Sequence, residues 1–181
     1  MIRRPPRSTQ GVSSAASDVY KRQGRTSSMK DKFIEAHLQV ARIYGQLSTA
    51  ERLKVGCIIV KDDRIISIGY NGMPSGASNV CEKDGETRPE VLHAEANAIT
   101  KLAKSTESGQ DAFMFTTYAP CVDCAKLILQ SGIKELYYEL DYKNDDGIDL
   151  LKKYSRVKIH QYESEQEFLQ FIDEGLLPYS H

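Results

Sequence analysis

Three side chains that must meet in space constrain this chain more than anything else. They are His93, in His93-Ala94-Glu95, and Cys121 and Cys124, in Pro120-Cys121-Val122-Asp123-Cys124. One imidazole and two thiolates make a three-ligand zinc set, which keeps the fourth tetrahedral position for water, whereas a structural zinc is normally closed by a fourth protein ligand. Glu95, two residues after the histidine, brings a carboxylate close enough to move protons at that water. A Cys-x-x-Cys pair alone also fits a redox pair or half of a structural zinc knuckle, and a lone His-x-Glu arises by chance in helices. The two motifs in this order, with proline directly before the first cysteine, favour the catalytic metal.

Hydrophobic periodicity supplies the frame that would bring these residues together. Phe33, Ala36, Val40, Ala41 and Tyr44 recur at three- and four-residue steps and predict an amphipathic first helix. Residues 55–60 and 64–69 read as an antiparallel hairpin around the polar turn Lys61-Asp62-Asp63. A Gly/Ser/Asn/Pro-rich loop follows from residue 71 to about residue 89, and residues 93–104 read as a second helix. Residues 113–118, β-branched and aromatic, predict the third strand. Pro120 suits the start of a third helix and Gly132 its end. Cys121 and Cys124 then lie one turn apart and can face one metal, at a helix N-terminus that stabilises thiolates.

Residues 135–140 and 157–162 supply two more strands, with residues 146–154 helical between them. A hairpin needs few residues and a parallel pair needs a crossover, so the last two strands should run parallel. Ser164-Glu165-Gln166-Glu167 is a capping-box pattern before Phe168, Leu169, Phe171 and Ile172. The expected fold is α/β: a three-layer α/β/α arrangement around a five-stranded mixed sheet, in one domain over residues 29–181.

Charge and cysteine usage narrow the function. The 181 residues carry a net charge of −1, but residues 1–28 hold six basic side chains and one acid, many serines and no apolar periodicity. Residues 1–23 resemble translated sequencing-adapter sequence, so the expectation is a disordered, non-native extension with the native chain starting near Met29. The remainder has 18 basic and 24 acidic residues, or −6, a poor balance for RNA or DNA, where phosphate contacts supply much of the affinity. No apolar run approaches the ~20 residues that span a bilayer. Cys57, inside an apolar strand, reads as a buried small hydrophobe, and Cys81, in the polar loop, as a free thiol. With no disulfide framework indicated, a reducing cytoplasm fits.

The two zinc motifs match the H-x-E…P-C-x-x-C pattern of zinc nucleobase deaminases. From about residue 33 to residue 162 the chain resembles the deoxycytidylate (dCMP) deaminases of the cytidine deaminase superfamily. The resemblance is carried by Val55-Gly56-Cys57-Ile58-Ile59-Val60, by Gly69-Tyr70-Asn71-Gly72-Met73-Pro74-Ser75-Gly76, by His93-Ala94-Glu95-Ala96-Asn97-Ala98-Ile99, and by the run from Pro120 through Ile128 to Glu135. It implies hydrolysis of dCMP to dUMP and ammonia, supplying dUMP for thymidylate synthesis. One Zn2+ would sit on His93, Cys121 and Cys124, with Glu95 moving the protons. Asn71 would hold the sugar and nearby polar groups. The backbone from Gly72 through Ser75 to Gly76 would wrap the nucleotide, since glycines permit close approach and free amides favour an anion; the bland reading of this loop is a tight turn.

Arg52 and Lys54 read either as 5′-phosphate ligands or as ordinary solvated charges. Tyr118 reads as a contact to the pyrimidine face or as a core aromatic. The resemblance further implies a homo-oligomer, dimer to hexamer, with dCTP and dTTP as effectors and Mg2+ assisting them. Residues 80–92 offer Cys81 but no further histidine or cysteine, so no second zinc is expected. His37, His160 and His181 lack ligand spacing. The rival readings are a tRNA adenosine deaminase, which calls for a basic surface, and a free cytidine deaminase, whose final strands are antiparallel. A third, non-enzymatic reading is a degenerate deaminase fold that binds a partner.

Overall fold

The computed structural model describes residues 28–163. The capping box at residues 164–167 and the segment 1–27 lie outside the described residues. In chain order the elements are α1 (Asp31–Gly45), β1 (Gly56–Lys61), β2 (Arg64–Tyr70), β3 (Glu82–Lys83), β4 (Glu86–Thr87), α2 (Ala94–Leu102), β5 (Phe113–Tyr118), α3 (Val122–Ser131), β6 (Glu135–Leu140), α4 (Asp146–Tyr154) and β7 (Lys158–Gln161). Among the described residues no helix is long and apolar enough to cross a membrane.

The five long strands form one mixed sheet in the order β2-β1-β5-β6-β7. β1 is antiparallel to both β2 and β5, while β5 pairs parallel with β6 and β6 parallel with β7. The α4 crossover does what the sequence demanded of it. Side chains alternate across a strand, so β1 sends Cys57 and Ile59 to one face and Ile58 and Val60 to the other, all of them buried. One face packs on α1 through Ile34, Leu38 and Ala41, with Phe115 stacked on Tyr137 at 4.9 Å between ring centroids. The opposite face carries α2, α3 and α4, through Ala94, Ala98, Ala125, Ile128, Ile148 and Leu151. The sheet is thus covered on both sides, as its near-continuous apolar strands require.

Residues 71–89 are not wholly a loop. Glu82–Lys83 and Glu86–Thr87 pair antiparallel around Asp84 and Gly85, whose φ angles are +53° and +78°. Asp-Gly is a strong signal for a two-residue hairpin turn, but these four strand residues are mostly charged and show no alternation, so a periodicity reading passes over them. Cys81, beside this hairpin, is a free thiol as expected, yet it is buried, with its Sγ 3.4 Å from Thr49 Oγ1. His37 tilts against Phe115 at 4.8 Å, and His160 stacks on Tyr137 at 4.7 Å. Both are packing residues.

Two glycines serve α3 and its surroundings. Gly132 ends α3 with φ +81°, the left-handed cap that a side chain disfavours. Gly147, in the first turn of α4, lies so close to the turn before α3 that a Cβ there would stand 2.0 Å from the Pro120 carbonyl oxygen. Backbone cannot yield as a flexible side chain can. Gly147→Ala should therefore lower stability by about 1–3 kcal/mol, the usual cost of overpacking, read as a lower urea midpoint at unchanged m-value.

Candidate active site

The site forms where two helices begin. His93 is the N-cap of α2 and Cys121 the N-cap of α3, both in extended backbone conformation, while Glu95 and Cys124 lie in the first turns that follow. Small residues allow the approach. A Cβ at Gly69 in β2 would stand 2.2 Å from the Ala94 carbonyl oxygen, so the start of α2 rests directly on the sheet. Ser67 Oγ donates to the Ala98 carbonyl at 2.6 Å, and Asn97 Nδ2 donates to the Tyr70 carbonyl at 2.9 Å, fixing the helix in register with β2.

His93 Nδ1 lies 3.4 Å from Cys121 Sγ and 3.5 Å from Cys124 Sγ, and the three ligand atoms all fall within 4.8 Å of one another. Tetrahedral zinc with its usual bond lengths would set N···S separations of about 3.6 Å, so the donor set fits that ion in kind and in spacing. Among the described residues no other histidine, cysteine or carboxylate group clusters this way.

The electrostatics are those of ligands competing for protons. A hydrogen bond from the Cys124 thiol holds Cys121 down at about 4, and the same bond, helped by burial, pushes Cys124 well up. The contact with Cys121 raises the His93 imidazole. Glu95 is 4% exposed, and this burial raises its carboxyl to about 7. Its carboxyl interacts electrostatically with His93, Cys121 and Cys124, so it lies at the edge of the ligand cluster.

A cleft with about 570 Å³ of empty space, partly open to solvent, lies over this cluster. Of the residues singled out in the sequence, His93, Glu95, Cys121, Asn71, Arg52 and Tyr118 line it. Asn71 acts as a latch: its Oδ1 accepts from the Val55 amide at 2.8 Å and its Nδ2 donates to the Leu53 carbonyl at 2.7 Å. Arg52 Nη1 pairs with Glu86 Oε2 at 2.7 Å. Tyr118 is half-buried, and burial raises its phenol.

Lys54, Gly72 and Ser75 are not part of the lining. Lys54 and Ser75 are exposed. Gly72 spends both backbone groups on Leu92, donating at 3.1 Å and accepting at 2.9 Å, which ties the loop next to His93 instead of leaving an amide free for an anion. Several walls went unread in the sequence: Leu53, Val55, Val91 and Tyr142, with Glu82 and Thr87 from the β3–β4 hairpin. Tyr142 could have been found, because it follows the C-terminal end of the parallel strand β6, where α/β sheets place their ligands.

Residues 28–140 match the family described as the cytidine and deoxycytidylate deaminase zinc-binding region. The ComE operon protein 2 of Bacillus subtilis is 35% identical over 136 residues, covering 73% of this chain and 69% of that protein. The deoxycytidylate deaminase of Enterobacteria phage T4 is 33% identical over 165 residues, covering 67% of this chain and 86% of that one. Among solved structures, the dCMP deaminase of the cyanophage S-TIM5, in complex with dCMP and dUMP, is 44% identical with a TM-score of 0.72, covering 74% of this chain and 99% of that one. With its ligand cluster, its sheet order and these relatives in agreement, this chain belongs to the zinc-binding family of cytidine and deoxycytidylate deaminases.

Proposed function

We propose that the chain hydrolyses dCMP to dUMP and ammonia. The single observation that carries this reading is the His93–Cys121–Cys124 cluster, at tetrahedral spacing, beside the buried carboxyl of Glu95 in a cleft partly open to solvent. The phage T4 and S-TIM5 relatives, which bear the names of deoxycytidylate and dCMP deaminases, support the substrate. The last two strands are parallel, in keeping with this reading and not with a free cytidine deaminase.

His93, Cys121 and Cys124 would hold one zinc ion, whose Lewis acidity would favour attack of water at C4 of the ring. Glu95 would take a proton from that water, deliver one to ring N3, and later protonate the departing amine. Its burial suits the task, because a carboxyl screened from solvent exchanges protons with the substrate instead of with bulk water. Tyr118 and Tyr142 would flank the base with their ring faces. Asn71, already holding residues 53–55, keeps one amide hydrogen and one oxygen lone pair for the sugar. Arg52, at the cleft mouth, would meet the 5′-phosphate in charge-assisted hydrogen bonds. Gly72 would act through its bridge to Leu92, and Lys54 and Ser75 would stand outside the first contacts. Residues 70–79 are the support for an oligomer that responds to dCTP and dTTP with Mg2+.

Ammonia release from dCMP, deoxycytidine and CMP by the zinc-loaded chain tests the reading. A strong preference for dCMP is the expected result. Equal rates on deoxycytidine would remove the phosphate contact, and no release from any of the three would favour a partner-binding module. Glu95→Gln should keep stoichiometric zinc and the fold while kcat falls by roughly 10²–10⁴; near-normal turnover would rule out the proton-transfer role. Cys124→Ala should fail to retain zinc through dialysis, as measured by atomic emission, because two ligands in place of three no longer fix a tetrahedral ion.

A further inference from the structure

The cleft does not end at Arg52. A second hollow, with about 700 Å³ of space partly open to solvent, shares Arg52 and Glu82 with it and contains none of the metal-site residues. The two hollows therefore adjoin at Arg52 and Glu82, and the second lies off the metal site. Among the described residues its charged lining is one-sided: Arg52 is the one cation, against Glu51, Glu82 and Asp84. Of these acids, Glu82 is held in place. Glu82 Oε1 accepts from the Glu51 amide at 3.0 Å and from the Arg52 amide at 3.4 Å, which binds the segment carrying Arg52 onto the hairpin. Glu86, on the other hairpin strand, engages the Arg52 guanidinium itself.

Resting on the dCMP reading above, we propose that the β3–β4 hairpin is a specificity element that limits the nucleotide to a single phosphate. Arg52 and Glu86 are 41% and 80% exposed, and pairs so exposed are worth little. A phosphate can take the guanidinium from Glu86 at small cost, since it offers charge-assisted, bidentate acceptance. One phosphate is served by that exchange. A second and third phosphate would extend into the hollow, where among the described residues no further cation lines the wall and three carboxylates do. The rejection is electrostatic, not steric, and it acts through water, so each carboxylate contributes modestly and salt weakens all of them.

The experiment compares kcat/KM for dCMP and dCTP with the full zinc-loaded chain, without added magnesium, at low and high salt. The variants are Glu51→Gln/Asp84→Asn and Glu51→Lys. Asparagine tolerates the left-handed backbone at residue 84, and Glu51 is exposed, so neither variant disturbs the core. At low salt the wild type should favour dCMP by roughly 100-fold or more, and neutralising two acids should narrow that ratio about tenfold, mainly through KM for dCTP. High salt should narrow it in the wild type and much less in the double variant. A ratio that neither variant moves, or one indifferent to salt, would overturn the role of the hairpin while leaving the dCMP assignment intact. Absence of ammonia release from dCMP by the wild type would instead defeat the assignment on which this inference stands.

Discussion

The close seating of α2 and α3 on the sheet is the constraint from which the rest of this structure follows. Their N-termini must nearly touch for one histidine and two cysteines to share a point, and the chain achieves this with small residues. Gly69 lets the Ala94 carbonyl down onto β2, and Ala98 and Ala125 are fully buried on the same face. Gly147 then lets the start of α4 press against the Pro120–Cys121 turn from the other side. A side chain at Gly69 or Gly147 would meet backbone at 2.2 Å or 2.0 Å, at the very turns that carry His93 and Cys121. Interiors pack at near-crystalline density, so a displacement at the sheet is passed on to the ligands rather than absorbed. The parallel pairing of β5 with β6 matters for the same reason. It puts the C-terminal ends of these two strands side by side, so that Tyr118 and the loop bearing Tyr142 face one cleft.

Much of this was legible in the sequence, for identifiable reasons. Phe113–Tyr118 and Asp146–Tyr154 were read with their observed limits because composition and periodicity agreed over a full element. The His93–Cys121–Cys124 cluster was legible because coordination demands particular residue types at fixed spacing. The hairpin at residues 82–87 was not, since two-residue strands carry no period and only the Asp84-Gly85 turn marks them. Nor was the buried pair between Arg42 of α1 and Glu139 of β6, whose Nε–Oε2 bond is 2.8 Å. A helix arginine and a strand glutamate read as solvated charges until the α1–sheet interface is known, and only then does each have to find the other. The cleft walls failed for a third reason. Leu53, Val55 and Val91 are ordinary apolar residues, and nothing in a sequence separates a core contact from a cleft wall. Lys54, Gly72 and Ser75 show the converse: suitable chemistry near the site, turned to solvent or used up by the backbone.

The electrostatics of the site argue that a cation is part of the fold's design and not an addition to it. A hydrogen bond from Cys124 draws the Cys121 thiol down, while Cys124 and the buried Glu95 carboxyl are pushed up. Burial penalises each negative charge in turn. A divalent ion among His93, Cys121 and Cys124 would reverse that balance, ionising both thiols outright and favouring the Glu95 carboxylate beside them. The same ion would exchange the raised proton affinity of His93 for coordination. Ligands that must lose protons to bind make metal affinity rise with pH, and metal bound only by the folded arrangement stabilises that arrangement. Helix N-termini strengthen the trend, since the start of α3 favours negative charge at Cys121 and Cys124 whether or not the ion is present. The site therefore gathers one imidazole, two thiols and a buried carboxyl at one point, a donor set that suits a small divalent cation.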